Sequence, residues 1–171
     1  KIMLSIIVFI CLIKDNVTAQ YWSALGNGIG YINTVQTSEG IVDGYDGPIT
    51  GPPVASLCMY NGELYTAGYF DFADGPANNI VKWNGTNWST VGTGIDYAWA
   101  ENWVYALIVY NGELYAGGHF MSAGGNQVNN IAKWNGRSWS AVGGGLNRSV
   151  SALQVDAANR LYVGGAFTSA G

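Results

Sequence analysis

Residues Val54 to Ile95 read VASLCMYNGELYTAGYFDFADGPANNIVKWNGTNWSTVGTGI, and residues Val104 to Leu146 read VYALIVYNGELYAGGHFMSAGGNQVNNIAKWNGRSWSAVGGGL. With one gap opposite Val128, 24 of 42 aligned positions are identical. A third copy starts at Val150 and reaches Gly171 about halfway through the unit. A period of roughly 46 to 51 residues marks an array of one supersecondary unit, each copy burying its apolar faces against its neighbours. Most of the prominent residues are therefore expected to build that unit.

Each copy divides into four short strands. The first are Leu57 to Tyr60 and Leu107 to Tyr110, and the second are Glu63 to Phe70 and Glu113 to Phe120. The third are Asn79 to Trp83 and Asn130 to Trp134, and the fourth are Trp88 to Val91 and Trp139 to Val142. Asn-Gly joins strands one and two (Asn61-Gly62, Asn111-Gly112) and strands three and four (Asn84-Gly85, Asn135-Gly136). Such turns predict hairpins, because type I′ geometry needs positive φ at both central residues. The strand-two glycines, Gly68, Gly117, Gly118, Gly164 and Gly165, are expected where a neighbouring sheet comes close. The paired tryptophans Trp83/Trp88 and Trp134/Trp139 are expected to fill the space between sheets.

The pattern resembles the glycine-rich kelch-like β-propellers. It is carried by Leu114-Tyr115-Ala116-Gly117-Gly118, by Ile131-Ala132-Lys133-Trp134-Asn135-Gly136, and by Trp139-Ser140-Ala141-Val142-Gly143. It is closest to repeats of secreted bacterial proteins that often end in a sorting domain, and is also similar to fungal cell-surface polarity markers. The Lys-Trp-Asn-Gly element and the extra glycines after strand four depart from standard kelch repeats. The resemblance implies an all-β fold, a β-propeller of four-stranded antiparallel blades. With two whole blades the chain falls short of the 4 to 8 of a typical ring, so it reads as an incomplete N-terminal fragment. Residues 54–95 and 104–146 are the blades, 150–171 a half blade and 31–53 a loop insertion. Tyr21 to Gly30 (YWSALGNGIG) matches Ser138 to Asn147 (SWSAVGGGLN). It reads as an isolated outer strand of the kind that completes the last blade of a ring.

Composition agrees with many short strands: 11% charged residues, 13% aromatic residues and 25 glycines. Residues 1–19 differ. The apolar run Ile2 to Ile13 follows Lys1 and ends before the small-residue stretch Val17-Thr18-Ala19, which reads as a signal peptide cleaved before Gln20. The run is shorter than the ~20 residues that span a bilayer. Secretion or the cell surface is the expected location. Cleavage leaves five basic and ten acidic residues, a balance that argues against nucleic acid as partner. It also leaves Cys58 alone, so no intrachain disulfide is expected.

Function is expected on the connections between strands two and three and between successive copies, which vary where the Asn-Gly turns do not. Of the seven tryptophans, only Trp99 and Trp103 fall outside repeated positions. Tyr97, Trp99 and Trp103, with Asp96 and Glu101, form the candidate ligand-binding set: rings to stack on a sugar, polar groups to bond its hydroxyls. The expected partner is a protein or glycan on this face, and no cofactor is expected. Asp43 and Asp46 lack the spacing of a calcium loop. One histidine, His119, and one mature cysteine cannot make a His/Cys metal cluster. No nucleophile or phosphate-loop motif is present. The reading is a non-enzymatic binding or display scaffold. Its alternative is a hydrolase or oxidase whose catalytic residues lie in further blades. Asn84, Asn87 and Asn147 head Asn-x-Ser/Thr sequons.

Overall fold

The structure, a computed structural model, describes residues 54–70, 78–96 and 102–171, together with the backbone of four short strands before them. All the regular elements described are strands. Early in the chain, β1 (Phe9–Ile10) pairs with β2 (Ser23–Ala24), and β3 (Thr34–Thr37) pairs with β4 (Gly40–Asp43), both antiparallel. The expected loop insertion thus contains a hairpin. The rest of the leader, of residues 21–30 and of residues 31–53 lies outside the described residues.

The first full repeat is a four-stranded antiparallel sheet in the order β5 (Val54–Tyr60), β6 (Glu63–Gly68), β7 (Ile80–Trp83), β8 (Trp88–Thr90). A two-residue strand, β9 (Ile95–Asp96), leads out of it. The second repeat forms the same sheet from β10 (Trp103–Tyr110), β11 (Glu113–His119), β14 (Ile131–Trp134) and β15 (Trp139–Ala141). Between β11 and β14 lies a small hairpin, β12 (Ser122–Ala123) and β13 (Asn126–Gln127). The third copy supplies β16 (Val150–Val155) and β17 (Leu161–Gly165).

The first strands are longer than expected because each begins with a β-bulge. Register slips between Val54 and Ser56, between Val104 and Ala106, and between Val150 and Ala152. A bulge inserts one unpaired residue and turns its side chain away from the regular alternation. Here the extra residues are Ala55, Tyr105 and Ser151.

The bulge also corrects the reading of the glycine pairs. A methyl group on Gly118 would run into the Trp103 carbonyl oxygen, and one on Gly165 into that of Ser149. Both obstacles are the bulged strand of the same hairpin, not a neighbouring sheet. Gly117 does serve the expected purpose: its missing Cβ would sit 2.5 Å from Val150 Cγ1 of the next copy. Gly164, its counterpart on β17, has only Ala152 Cβ within 4 Å, at 3.9 Å.

The two kinds of Asn-Gly turn also separate. At Asn61-Gly62 and Asn111-Gly112 both residues have positive φ (50° and 79°; 50° and 76°), as type I′ hairpins demand. The other two are four-residue loops, because Trp83 pairs with Trp88 and Trp134 with Trp139. In these only the glycine has positive φ, 101° at Gly85 and 95° at Gly136. The asparagine side chain closes the loop instead. Asn84 Oδ1 accepts the N–H groups of Thr86 and Asn87, and Asn135 Oδ1 those of Arg137 and Ser138, all at 2.9 Å.

Asn79 and Asn130, expected in strand three, precede it at positive φ of 61° and 68°. Each is a buried bracket. Asn79 Oδ1 accepts the Phe70 N–H and its Nδ2 donates to the Ile95 carbonyl; Asn130 does the same with Phe120 and Leu146. The residues before them, Asn78 and Asn129, donate to the carbonyls of Thr93 and Gly144. Adjacent asparagines therefore tie the strand two–three connection to the segment after strand four, at one end of both four-stranded sheets.

Successive sheets pack face to face. The largest core runs from Tyr60, Tyr65, Ala67 and Ile80 of the first sheet to Leu107, Leu114, Ala116, Trp134 and Trp139 of the second. Trp139 Nε1 donates to the Val91 carbonyl of the preceding repeat at 3.0 Å. The other side of the second sheet, with Tyr115 and Ile131, packs on Val150 and Leu153 of the third copy. Tryptophan between sheets is thus as expected for Trp134 and Trp139, whereas Trp83 of the first sheet is half-exposed. Turn ends touch as well: the Tyr60 hydroxyl donates to the Gly112 carbonyl at 3.1 Å, and Asn159 Nδ2 to Asn111 Oδ1 at 2.7 Å.

The bulge argument separates two adjacent-looking glycine sites. Gly118→Ala is expected to destabilise the fold by about 1–3 kcal/mol, as overpacking against backbone does. Gly164→Ala is expected to stay within about 0.5 kcal/mol. Urea denaturation of both variants measures the difference.

Candidate functional site

The end of each sheet opposite the Asn-Gly turns carries the divergent segments, and between the first two repeats they are joined into one surface. Strand β12 pairs on one side with β13 and on the other with β9, Ser122 opposite Asp96 and Ala123 opposite Ile95. The segment expected as a free variable loop after strand two is therefore anchored to the exit of the previous sheet. Trp139 supports it from below. A methyl group on Gly124 (φ 60°) would stand 3.0 Å from its Cδ1, and Asn126 Nδ2 donates to its carbonyl.

Trp103 is the first residue of β10 and sits opposite His119 in the ladder with β11. It is only 9% exposed. Its indole lies between two tyrosine rings: Tyr69, with centroids 4.6 Å apart and planes 13° apart, and Tyr105, at 5.9 Å and 17°. Trp103 is thus the middle of a three-ring stack and not an open platform. Tyr105, the bulge residue, is the outer ring and is 36% exposed. Near-parallel rings at these spacings are favourable beyond the area they bury.

Asp96 is exposed and accepts a hydrogen bond from Asn102 Nδ2 at 3.0 Å. That contact spans the chain that leads from the first sheet to the second. The Asn102 Oδ1 is buried and has no hydrogen-bond partner. A buried acceptor without a donor costs about 1–3 kcal/mol. Of the five candidate residues, Asp96 and Trp103 are therefore both at the junction of the first two repeats. Tyr97, Trp99 and Glu101 lie outside the described residues.

Asn102, a polar neighbour of the candidate rings in the sequence, is brought to the site, whereas Tyr69 and Tyr105 were missed in the sequence because each stands alone. One signal was present. The bulge position is Ala55 in the first copy and Ser151 in the third, so tyrosine there is out of keeping with the repeat.

Other reactive groups have structural settings. Cys58 is half-buried on β5 and packs against the main core. Burial pushes its thiol pKa up, against a smaller opposing effect of the Val109 backbone, so little thiolate forms at neutral pH. Lys82 and Lys133 make matched ion pairs with Glu63 and Glu113, each 2.8 Å, across strands two and three. Among the described residues no group of three or more His, Cys, Asp or Glu converges as metal ligands, and no helix is long and apolar enough to cross a membrane. Asn147 is engaged through both amide atoms, its Oδ1 accepting from Thr168 and Ser169 and its Nδ2 donating to Thr168 Oγ1.

Compared with protein-family models, with curated proteins and with solved structures, the chain matches none.

The third copy replaces the Asn-Gly turn with Asp156-Ala-Ala-Asn159, and Asp156 does the work of the turn. Its carboxylate accepts the Arg160 N–H at 2.9 Å, the Arg160 guanidinium and the Tyr162 hydroxyl at 2.7 and 3.1 Å, and the Ala158 N–H at 3.0 Å. These bonds, that from the Arg160 backbone foremost, hold its pKa below the ordinary carboxylate value. A depressed carboxylate stabilises the turn above its unfolded value of about 4 and ceases to do so as pH falls through the folded value. Amide exchange at Ala158 and Arg160 should therefore quicken, relative to the rest of β16 and β17, as pH is lowered from 5 toward 2. Asp156→Asn should weaken that dependence. NMR-detected exchange gives the comparison.

Proposed function

We propose that the repeats are blades of a β-propeller, and that the protein is a secreted or cell-surface scaffold that binds or displays a ligand without transforming it. The resemblance to secreted kelch-like repeats and the signal-peptide character of residues 1–19 support the location. The stacking of four-stranded antiparallel sheets, each on the next, supports the blade reading.

The observation that carries the binding reading is the asymmetry between the two ends of the sheets. In the two full sheets one end is built from Asn-Gly turns that repeat from one sheet to the next. The other presents the Tyr69–Trp103–Tyr105 stack, rigidly seated on a bulged strand, beside Asp96 and an unsatisfied Asn102 carbonyl. Flat aromatic surface next to fixed polar groups suits a sugar ring, whose C–H face stacks while its hydroxyls donate and accept. Pre-seated rings lose little conformational freedom on binding, which favours affinity. A glycan is accordingly the first ligand class to test, and a protein surface rich in hydroxyl and amide groups the second.

Glycan-array screening and polysaccharide pull-down with the full chain should find a ligand. Tyr105→Ala should weaken binding about 30-fold, the loss of about 2 kcal/mol typical of a hot-spot side chain, with the denaturation midpoint little changed. Absence of any glycan or protein ligand, or binding that is indifferent to both Tyr105→Ala and Asp96→Ala, would refute this assignment.

A further inference from the structure

The surface where the first repeat leads into the second is electron-rich. Its rings are Tyr69, Trp103 and Tyr105, stacked nearly parallel, with Tyr105 outermost at 36% exposure. The face of an aromatic ring carries the negative part of its quadrupole and attracts cations. A carboxylate stands beside the stack. Asp96 is exposed, and it is held at 3.0 Å by Nδ2 of Asn102, the residue directly before Trp103. The side-chain amides of this end turn donors inward: Asn79, Asn126 and Asn130 donate to the carbonyls of Ile95, Trp139 and Leu146.

The sequence places no cation beside these groups. Between Lys82 and Lys133 it holds no lysine or arginine, and its acids there are Asp96, Glu101 and Glu113. The two lysines belong to the other half of the sheets. Lys82 bonds Glu63 and Lys133 bonds Glu113, each glutamate directly after an Asn-Gly turn. Those pairs cancel, and the charge of the intervening chain is negative.

The next junction of the same chain shows that the frame does not demand this chemistry. With Leu146 aligned on Ile95 and Val150 on Val104, Asp96 becomes Asn147, Trp103 becomes Ser149 and Tyr105 becomes Ser151. The residue after Asn147 is Arg148, so the sign is reversed as well. Asn147 closes on Thr168 and Ser169, a structural role for the position that Asp96 fills with a charge. Rings and carboxylate therefore occur together at one junction, and both are absent from the equivalent positions of the other.

We propose that the junction of the first two repeats selects a cationic amino sugar, a hexosamine whose nitrogen is not acylated, with its C–H face on Tyr105 and its ammonium group toward Asp96. The proposal rests on the reading of the stack as a glycan platform and adds the sign of the ligand's charge. Ammonium suits both features at once, since a cation is drawn to the ring faces and to the carboxylate. A uronate or sulfated glycan meets the opposite field and is rejected.

The test is calorimetric titration of the full chain with glucosamine oligomers of one length in two forms, N-acetylated and N-trimethylated, and with oligogalacturonate. The trimethyl charge is permanent, which keeps the comparison clear of His119, opposite Trp103 in the ladder. The trimethylated form should bind about tenfold tighter than the N-acetylated form, the order expected of a cation at an aromatic face with a carboxylate nearby. Oligogalacturonate should not bind. Asp96→Asn keeps an acceptor for Asn102 and removes the charge. It should cut the preference to about threefold, what the rings alone supply, with the denaturation midpoint unchanged. Equal binding of the neutral and cationic forms, or a preference that survives Asp96→Asn, would overturn the proposal and leave the glycan reading standing. Polylysine bound ahead of the cationic sugar would also overturn it, by giving the surface to a basic peptide. Binding of no sugar at all, here or on the glycan array, removes the premise together with the proposal.

Discussion

The two full sheets share one face-to-face core, and a contact that sets their spacing is an indole reaching for a backbone carbonyl. Trp139 is buried in the main core, and its N–H donates to the Val91 carbonyl of the preceding repeat. A large apolar ring with one polar atom makes a spacer that also has a correct position along the strand. Sliding the sheets by one residue would strand that N–H and cost more than the packing alone suggests. The glycine after Val91 follows from the same contact, because a side chain there would hold the two sheets apart.

Within each sheet a second constraint operates. The bulge at the start of the first strand bends the backbone onto strand two, and only glycine at Gly118 and Gly165 leaves room for it. The bulge in turn decides what the end opposite the Asn-Gly turns looks like. It places Tyr105 outside the regular alternation, where it closes the stack over Trp103. The polar brackets at Asn79 and Asn130 then hold the strand two–three connection to the exit of strand four, so the surface between repeats has fixed walls.

Much of this was legible. The duplicated sequence located both sheets, and Tyr60 and Tyr110 end their first strands where the pattern placed them. The tryptophans of the second repeat were rightly put between sheets. What the letters hid was which of two similar motifs used which physics. Asn-Gly occurs at both hairpins of a sheet, yet one uses positive φ at the asparagine and the other uses its side chain as a cap. Gly-Gly looked like one close approach and is two, with Gly117 facing the next sheet and Gly118 facing its own partner strand. The aromatic stack was half visible. Trp103 broke the repeat and drew notice, but its neighbours Tyr69 and Tyr105 are distant from one another in sequence and meet only after the bulge turns the strand.

The bulge residue has one more consequence. Regular positions in these strands answer to a neighbour above, below or alongside, so their identities are dictated several times over. Residues 55, 105 and 151 are exempt, since each is the surplus member of its ladder. Every copy of the unit thereby carries one blank on the same rim, where alanine, tyrosine and serine are equally compatible with the frame. Duplication supplies the scaffold, and the blanks let each copy acquire its own chemistry without renegotiating the architecture.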